Sequence, residues 1–377
     1  MKVIGIGIVG YGFIGKVHAY SCINLPMFYD NLPFKAKIVG ICDTSNAMLN
    51  KARSEVECEV YTNDYKQLLA REDIHVINCC TPNIFHKELL LDAAKSVKHI
   101  YCDKPMTVTL KEAQEVVAAV NDAGVLNQMT MEYRFIPAII RARQLIDDGF
   151  LGDVFNFRIT YLHSGYIDPK RPLSWRMDKA ISGGGALLDM GPHPIDTIRY
   201  LLGDFDRVFA ITRTYIKERP SLEDPSKIRK VDVDDVAVMQ VEMKNGCMGY
   251  LEVSRLSTGM NDDLRFEIHG SKGALAFGSM DPNWLLAYDC RDPENPIGGM
   301  RGFKKIETVQ RYPAPCSFPG PKFSIGWIRT HVASLYDFLT HVSDGTPTHL
   351  TFEDGLQIQK VICAGYESAE TNQWKTV

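Results

Sequence analysis

The stretch Val3-Ile4-Gly5-Ile6-Gly7-Ile8-Val9-Gly10-Tyr11-Gly12-Phe13-Ile14-Gly15 decides how the first third of this chain is read. A short apolar run rich in isoleucine and valine enters a G-x-G-x-x-G turn, and Lys16-Val17-His18-Ala19-Tyr20 begins a helix. Strand, glycine turn and helix in that order are the context a dinucleotide fingerprint requires. Gly10 permits the tight turn, Gly12 lets backbone approach a pyrophosphate, and Gly15 lets the helix lie close on the strand. Phosphates would sit at the positive end of that helix, with Phe13 and Ile14 inside the cradle. The fingerprint points to a cofactor class and leaves the reaction to be found downstream.

Outward from this turn, strand and helix signals alternate. Lys35 to Asp43 reads as a second parallel strand ending in an acid, and Asp64 caps a helix through Leu68 and Leu69. His75 to Cys80 is a further strand, stopped by Thr81-Pro82-Asn83; a helix near Phe85 to Lys95 and a strand from Lys98 to Cys102 follow, closed by Asp103-Lys104-Pro105. Leu110, Ala113, Val116, Val117 and Val120 recur at helical spacing within Thr109 to Ala123, and Gly124 stands where a terminating glycine belongs. Val125 to Tyr133 is the last strand of this series. Such βα alternation predicts a doubly wound parallel sheet.

Beyond residue 133 the rhythm changes. Phe135 to Asp148 reads as a helix, and Phe155, Phe157, Ile159 and Tyr161 alternate along a longer strand. Similar patterns around Val236 to Val241, Met248 to Glu252 and Leu264 to Ile268 predict neighbouring antiparallel strands of one open sheet. Helices near Ile325 to Val342 and Phe352 to Thr371 finish the chain. Lys217 to Lys230 and Asp281 to Met300, rich in proline and charge, read as exposed loops. The class is therefore α/β with two domains, residues 1–133 and 134–377.

Bulk properties narrow the function. At 377 residues the chain is long for a single core. With 45% hydrophobic and 23% charged residues it has a globular composition. A net charge of −4 offers no electrostatic case for nucleic acid or an anionic membrane. No apolar stretch approaches the roughly 20 residues a membrane span needs, and no signal peptide pattern precedes the first strand, so a cytoplasmic protein is expected. The ten cysteines are scattered, with no C-x-x-C pair and no cysteine–histidine spacing typical of zinc, which predicts buried thiols and no metal.

Several residues have the chemistry of a site. Asp43 ends the second strand, where an acid accepts hydrogen bonds from the adenosine ribose, although it lies farther from Gly15 than the usual ~20 residues. Its other reading is a turn or cap aspartate. The negative charge and the absence of an adjacent arginine favour NAD over NADP. Thr81, Pro82, Asn83, His86, Asp103 and Lys104 follow the carboxyl ends of later strands, where open α/β sheets bind ligands. An ammonium at Lys104 suits polarising a carbonyl or alkoxide oxygen. The segment Ser182-Gly183-Gly184-Gly185 leads to Asp189 and His193, and its glycines allow close packing against something such as a cofactor ring. A histidine with a nearby carboxylate suits proton transfer near neutral pH, and equally suits a structural role.

Taken together, these motifs resemble the Gfo/Idh/MocA oxidoreductases, the glucose–fructose oxidoreductase and inositol dehydrogenase family. The matches run in order: Gly10 to Gly15, Thr81-Pro82-Asn83 with His86, Asp103-Lys104-Pro105, Tyr133-Arg134-Phe135 with Pro137, Trp175-Arg176, the glycine triplet with Asp189 and His193, and Ser368-Ala369 near Trp374. The resemblance implies an N-terminal Rossmann domain that binds NAD and a C-terminal α/β domain with an open, largely antiparallel sheet for substrate binding and oligomerisation. It also implies a homodimer or homotetramer. Lys104 falls on the family's catalytic lysine, and Asp189 and His193 on its aspartate and histidine. Asp103 stands where glutamate is usual. Glu132 stands where asparagine is common, which predicts altered substrate contacts.

The function expected from all this is NAD-dependent oxidation of a secondary alcohol in a cyclic polyol, sugar or sugar derivative. His193 takes the hydroxyl proton, Lys104 stabilises the developing negative oxygen, and Asp189 binds a hydroxyl and tunes His193. Tyr133, Arg134, His163, Trp175 and Arg176 are candidate substrate-pocket residues, with Asp189 and His193. Two alternatives stand: a glycoside hydrolase that oxidises its sugar transiently with tightly held NAD, and a non-catalytic NAD-binding sensor.

Overall fold

The computed structural model describes residues 1–308 and 326–377. It forms two compact units, Met1–Glu132 with Gly326–Gln359, and Tyr133–Ile325 with Lys360–Val377.

In the first unit, six parallel strands lie in the order β3-β2-β1-β4-β5-β6. They are β1 (Lys2–Val9), β2 (Phe34–Cys42), β3 (Val60–Thr62), β4 (Val76–Cys79), β5 (His99–Cys102) and β6 (Asn127–Met129). The helices between them are α1 (Phe13–Phe28), α2 (Asn46–Glu55), α3 (Lys66–Leu69), α4 (His86–Lys95) and α5 (Leu110–Ala123). Ile4 to Val9 are all buried, as a continuous apolar run must be in a parallel strand covered on both faces. Thr109 and Glu112 exchange side-chain and backbone hydrogen bonds at the start of α5, and Gly124 closes it with φ 61°.

Register matters most for the site. Val9 lies opposite both Cys42 and Cys79, and Cys79 opposite Cys102, so four strands end on one row. Gly10, Asp43, Thr81 and Lys104 follow those ends and share one edge of the sheet.

The second unit contains nine strands in one sheet. These are β7 (Val154–Leu162), β8 (Phe205–Arg213), β11 (Val236–Met243), β12 (Met248–Ser254), β13 (Asp263–Gly270), β14 (Gly273–Gly278), β15 (Trp284–Asp289), β16 (Lys304–Glu307) and β17 (Lys375–Thr376). Two further strands, β9 (Glu218–Pro220) and β10 (Ile228–Lys230), pair separately. All neighbours in the large sheet are antiparallel except β7 and β12, which run parallel where sequence alternation alone predicted an antiparallel pair. Helices α6 (Pro137–Asp147), α7 (Lys179–Ser182), α8 (Ala186–Asp189) and α9 (Pro192–Leu202) complete this part. The sheet rests on α6, α8 and α9.

Other segments also differ from the sequence reading. Lys217 to Lys230 is no simple exposed loop: β9 and β10 form a hairpin, and Arg219 is buried, donating to the carbonyls of Asp168 at 2.7 Å and Tyr166 at 2.5 Å. Within Asp281 to Met300, Leu285 and Ala287 alternate inward as β15, a period masked by the charge and proline around it. The strand expected over Val125 to Tyr133 covers only Asn127–Met129, because the chain then enters a 3-10 turn at Glu132–Phe135. Residues 326–359 pack with the first unit, whereas the sequence reading grouped them with 134–377: Val332, Leu335, Phe338 and Leu339 of the helix Trp327–Asp344 join the core of β1 and β2. Ile325, expected at the start of that helix, lies outside the described residues. The last helix runs Phe352–Thr371, as its pattern predicts. Among the described residues no helix is long and apolar enough to cross a membrane.

Candidate active site

The glycine turn follows β1 directly. Gly10 has φ 94°, and a β-carbon there would meet the Cys80 carbonyl oxygen at 2.5 Å. A β-carbon on Gly15 would stand 2.0 Å from the Gly10 carbonyl oxygen, so this glycine lets α1 close on the turn. Gly12 differs, since nothing lies within 4 Å of the place its β-carbon would occupy. Protein packing requires the first and third glycines, while the second opens onto free space. Gly12 also caps α1 without a side-chain bond, leaving first-turn N–H groups available to a phosphate. Phe13, 68% exposed, stacks on Trp327 with ring centres 5.8 Å apart. Ile14 is half-buried. This geometry fits a dinucleotide pyrophosphate.

Asp43 braces that cradle. Its Oδ2 accepts from the Tyr11 N–H at 2.8 Å and its Oδ1 from the Ser45 N–H at 2.8 Å. The turn-aspartate reading therefore has its bonds here, and the carboxylate keeps lone pairs for a ribose.

His86 ties the next two turns together. Its Nε2 faces the Thr81 carbonyl at 2.8 Å and its Nδ1 the Pro105 carbonyl at 3.0 Å. Two acceptors call for a proton on each nitrogen. Burial opposes that charge, but the neighbouring Cys79 outweighs it and raises the pKa to about 9. His86 is 1% exposed, so it acts from beneath: it fixes Thr81-Pro82-Asn83 relative to Asp103-Lys104-Pro105. Asn83 is buried and Lys104 half-buried, while the Asp103 N–H bonds the Cys79 carbonyl at 3.0 Å. Cys79, His86 and Cys102 also bring one potential ligand atom each within 4.8 Å, a proximity that chain spacing did not reveal.

Glu132, where asparagine is common in the family, is a buried carboxylate. Its carboxylate accepts from Trp327 Nε1 at 3.3 Å and stands 3.6 Å from His331 Nε2, inside the first unit. Burial to 3% exposure demands such partners.

In the second unit, His193 lies on the first turn of α9, 5% exposed. Tyr133 and Tyr161 meet its ring edge-on, with centres 4.9 and 5.5 Å away. Arg134 grips Asp196 with two bonds of 2.8 and 2.6 Å, which joins the Tyr133 turn to the helix carrying His193. Asp189 Oδ2 accepts from Arg255 Nη2 at 2.8 Å, and its Oδ1 is 4.0 Å from Arg176 Nε. The Arg176 guanidinium also covers the Trp175 ring at 4.4 Å. His163 Nε2 stands 3.3 Å from Asp262 Oδ1.

The glycine triplet packs against protein. A β-carbon at Gly184 would strike the Tyr366 hydroxyl at 2.5 Å, and one at Gly185 the Asp234 carbonyl at 2.0 Å. Asp234 receives the N–H groups of Gly185 and Leu187, capping α8 in front of Asp189. Gly185 makes room for Asp234 and Gly184 for the Tyr366 hydroxyl, where the sequence reading offered a cofactor ring. Arg255, Asp262 and Asp234 were missed in the sequence. Their only signal was a charge at the border of an apolar strand.

A parallel sheet with a glycine cradle at its carboxyl edge, and a histidine with paired acids on a second α/β unit, define a dinucleotide-binding oxidoreductase. Residues 4–131 match the oxidoreductase family with an NAD-binding Rossmann fold, and residues 139–276 match the GFO/IDH/MocA C-terminal domain. Levoglucosan dehydrogenase of Pseudarthrobacter phenanthrenivorans is 32% identical, across 100% of this chain and 99% of its own. Myo-inositol 2-dehydrogenase of Thermotoga maritima is 25% identical, across 98% and 96%. The solved structure of levoglucosan dehydrogenase in complex with NADH and levoglucosan superposes with a TM-score of 0.94 at 33% identity, covering 100% of both chains. The chain belongs to the Gfo/Idh/MocA oxidoreductase family, and its cofactor is NAD.

Proposed function

We propose that this protein is an NAD-dependent dehydrogenase acting on a secondary alcohol of a cyclic polyol, sugar or sugar derivative. The observation that carries the reading is His193: an imidazole fixed by a helix and walled by two tyrosines, in a family whose similar members are named levoglucosan and inositol dehydrogenases. Gly10, Gly12, Phe13, Ile14 and Gly15 would hold the pyrophosphate. Asp43 would hold the adenosine ribose, and its charge favours NAD over NADP. Thr81, Pro82, Asn83 and the Asp103-Lys104 turn would hold the nicotinamide end, braced by His86. When bound, NAD supplies a hydride acceptor.

The chain's own groups do the rest. His193 takes the proton of the substrate hydroxyl, the role to which an imidazole base is suited. Lys104 places an ammonium against the oxygen as negative charge develops. Asp189, ion-paired with Arg255, binds a neighbouring hydroxyl and tunes His193. Tyr133, His163, Trp175 and Arg176 line the substrate side, and Arg134 holds Tyr133 and α9 in place through Asp196.

Exposed Ile211 and Met248, on one face of β8 and β12, support self-association as a dimer or tetramer. Free thiols at all nine described cysteines fit a reducing, cytoplasmic setting. The test is formation of reduced nicotinamide with levoglucosan, L-sorbose, myo-inositol and a wider sugar panel. Full turnover by His193→Asn and Lys104→Ala on a reactive substrate would defeat this mechanism. Release of an aglycone with no net cofactor reduction would favour the hydrolase instead.

A further inference from the structure

Asp262 lies in the connection between β12 and β13, and its backbone is fixed: Ser279 Oγ donates to its carbonyl at 2.6 Å. Nearby, Ser164 Oγ holds the Met260 carbonyl at 2.6 Å. Three donors converge on one carboxylate oxygen. The Tyr133 hydroxyl reaches Asp262 Oδ1 at 2.6 Å, the Tyr161 hydroxyl at 2.7 Å, and His163 Nε2 stands 3.3 Å away. The two phenol oxygens are 3.0 Å apart, and both tyrosine rings press on His193.

This arrangement has a chemical sense. A phenol has one proton, and the short bonds to Asp262 commit both of them. Among the described residues nothing donates to Asp262 Oδ2, and the side chain is still 37% exposed. Burial pushes the Asp262 carboxyl up, but the bonds from His163, Tyr133 and Tyr161 outweigh it and hold it below the usual carboxylate range. Asp262 Oδ2 is therefore an anionic acceptor beside the two tyrosines that meet His193. It complements hydroxyl donors and repels phosphate and carboxylate groups.

We propose that Asp262 is a specificity residue, which accepts a hydroxyl of a neutral polyol and positions Tyr133, Tyr161 and His163 for it, while excluding sugar phosphates and sugar acids. The proposal rests on the polyol reading above and adds to it a residue and a charge preference. Asp262→Asn separates its two roles. The amide oxygen still accepts from both phenols, whereas an N–H₂ replaces the acceptor offered to the substrate.

The experiment measures binding of levoglucosan, L-sorbose and myo-inositol to the NAD-loaded protein by calorimetry, with turnover read on the same samples. Asp262→Asn should weaken polyol binding about tenfold or more, the loss expected for a hydrogen bond to a charged group, with kcat changed only a few-fold and NAD affinity unchanged. Asp262→Ala should lower kcat as well, because the phenols lose their anchor. An Asn variant that binds polyols like the wild type, or a wild type that binds gluconate or glucose 6-phosphate as tightly as the polyols, overturns the proposal. A wild type that binds a polyol without reducing NAD defeats the dehydrogenase reading, and the binding comparison still decides the role of Asp262.

Discussion

Arg255 donates its Nη2 to Asp189 Oδ2 across 2.8 Å, from a guanidinium that is 1% exposed. The same group reaches the carbonyls of Gly185 at 3.2 Å and Arg176 at 3.3 Å, with the Tyr166 ring 5.0 Å from its centre. A candidate catalytic carboxylate is thus held by a buried cation that also anchors the backbone at Arg176 and Gly185. Removing one partner of such a pair strands the other charge out of water. Asp189→Ala should cost about 3 kcal/mol of stability, the lower end for a buried pair because Asp189 is partly exposed. Denaturant unfolding checks this; an unchanged midpoint would show that Arg255 finds compensation elsewhere.

Lys104 and His193 should separate in kinetics. His193→Asn keeps a polar side chain but removes the imidazole base, so kcat should fall about 10²- to 10⁴-fold with NAD affinity intact. Lys104→Ala should lower kcat by a similar factor and also weaken NAD. Steady-state rates with cofactor titrations on both variants test the split, and equal loss of NAD affinity in the two would contradict it.

The three fingerprint glycines should respond differently to a single methyl. Gly15→Ala and Gly10→Ala place a β-carbon 2.0 to 2.5 Å from a carbonyl oxygen, so both should lower the melting temperature even without cofactor. Gly12→Ala meets no protein atom and should fold normally, yet bind NAD at least tenfold more weakly. Thermal melts and NAD titrations read the two effects separately. A Gly12→Ala protein with normal NAD affinity would remove the pyrophosphate from that position.

Asp262 gives a stability signature with a definite sign. Its folded pKa lies below the unfolded value of about 3.9. The stability its charge contributes is therefore present above pH ~4 and is lost as the pH falls through the lower folded value. Wild type should be more stable than Asp262→Asn at pH 6, and the gap should close on acidification below pH ~4. Paired unfolding curves at several pH values measure it. A gap that persists unchanged into acid would mean that the bonds from Tyr133 and Tyr161 need no ionised partner.

Local patterns were legible where the physics is local. The capping residues Thr109 and Gly124 and the helix Phe352–Thr371 stand where their sequences place them, because a helix is made from bonds between near neighbours. The strand Trp284–Asp289 and the hairpin containing Arg219 were hidden. Their own segments are rich in charge and proline, which masks the alternation, and Arg219 is held by carbonyls 51 and 53 residues earlier. The glycine triplet was visible, but its occupant, Asp234, was not.

What the sequence alone determined is the NAD cradle and the family. The glycine spacing dictates a strand, turn and helix within a dozen residues, and the ordered motifs extend along nearly the whole chain. Tertiary structure decided how the chemical groups are held. Arg255 reaches Asp189 from 66 residues away, and Tyr133 reaches Asp262 across 129. Hydrogen bonds of such short range depend on sheet register and loop closure, which no local pattern encodes. That is why His193 could be singled out from the sequence while the acidic wall beside it could not.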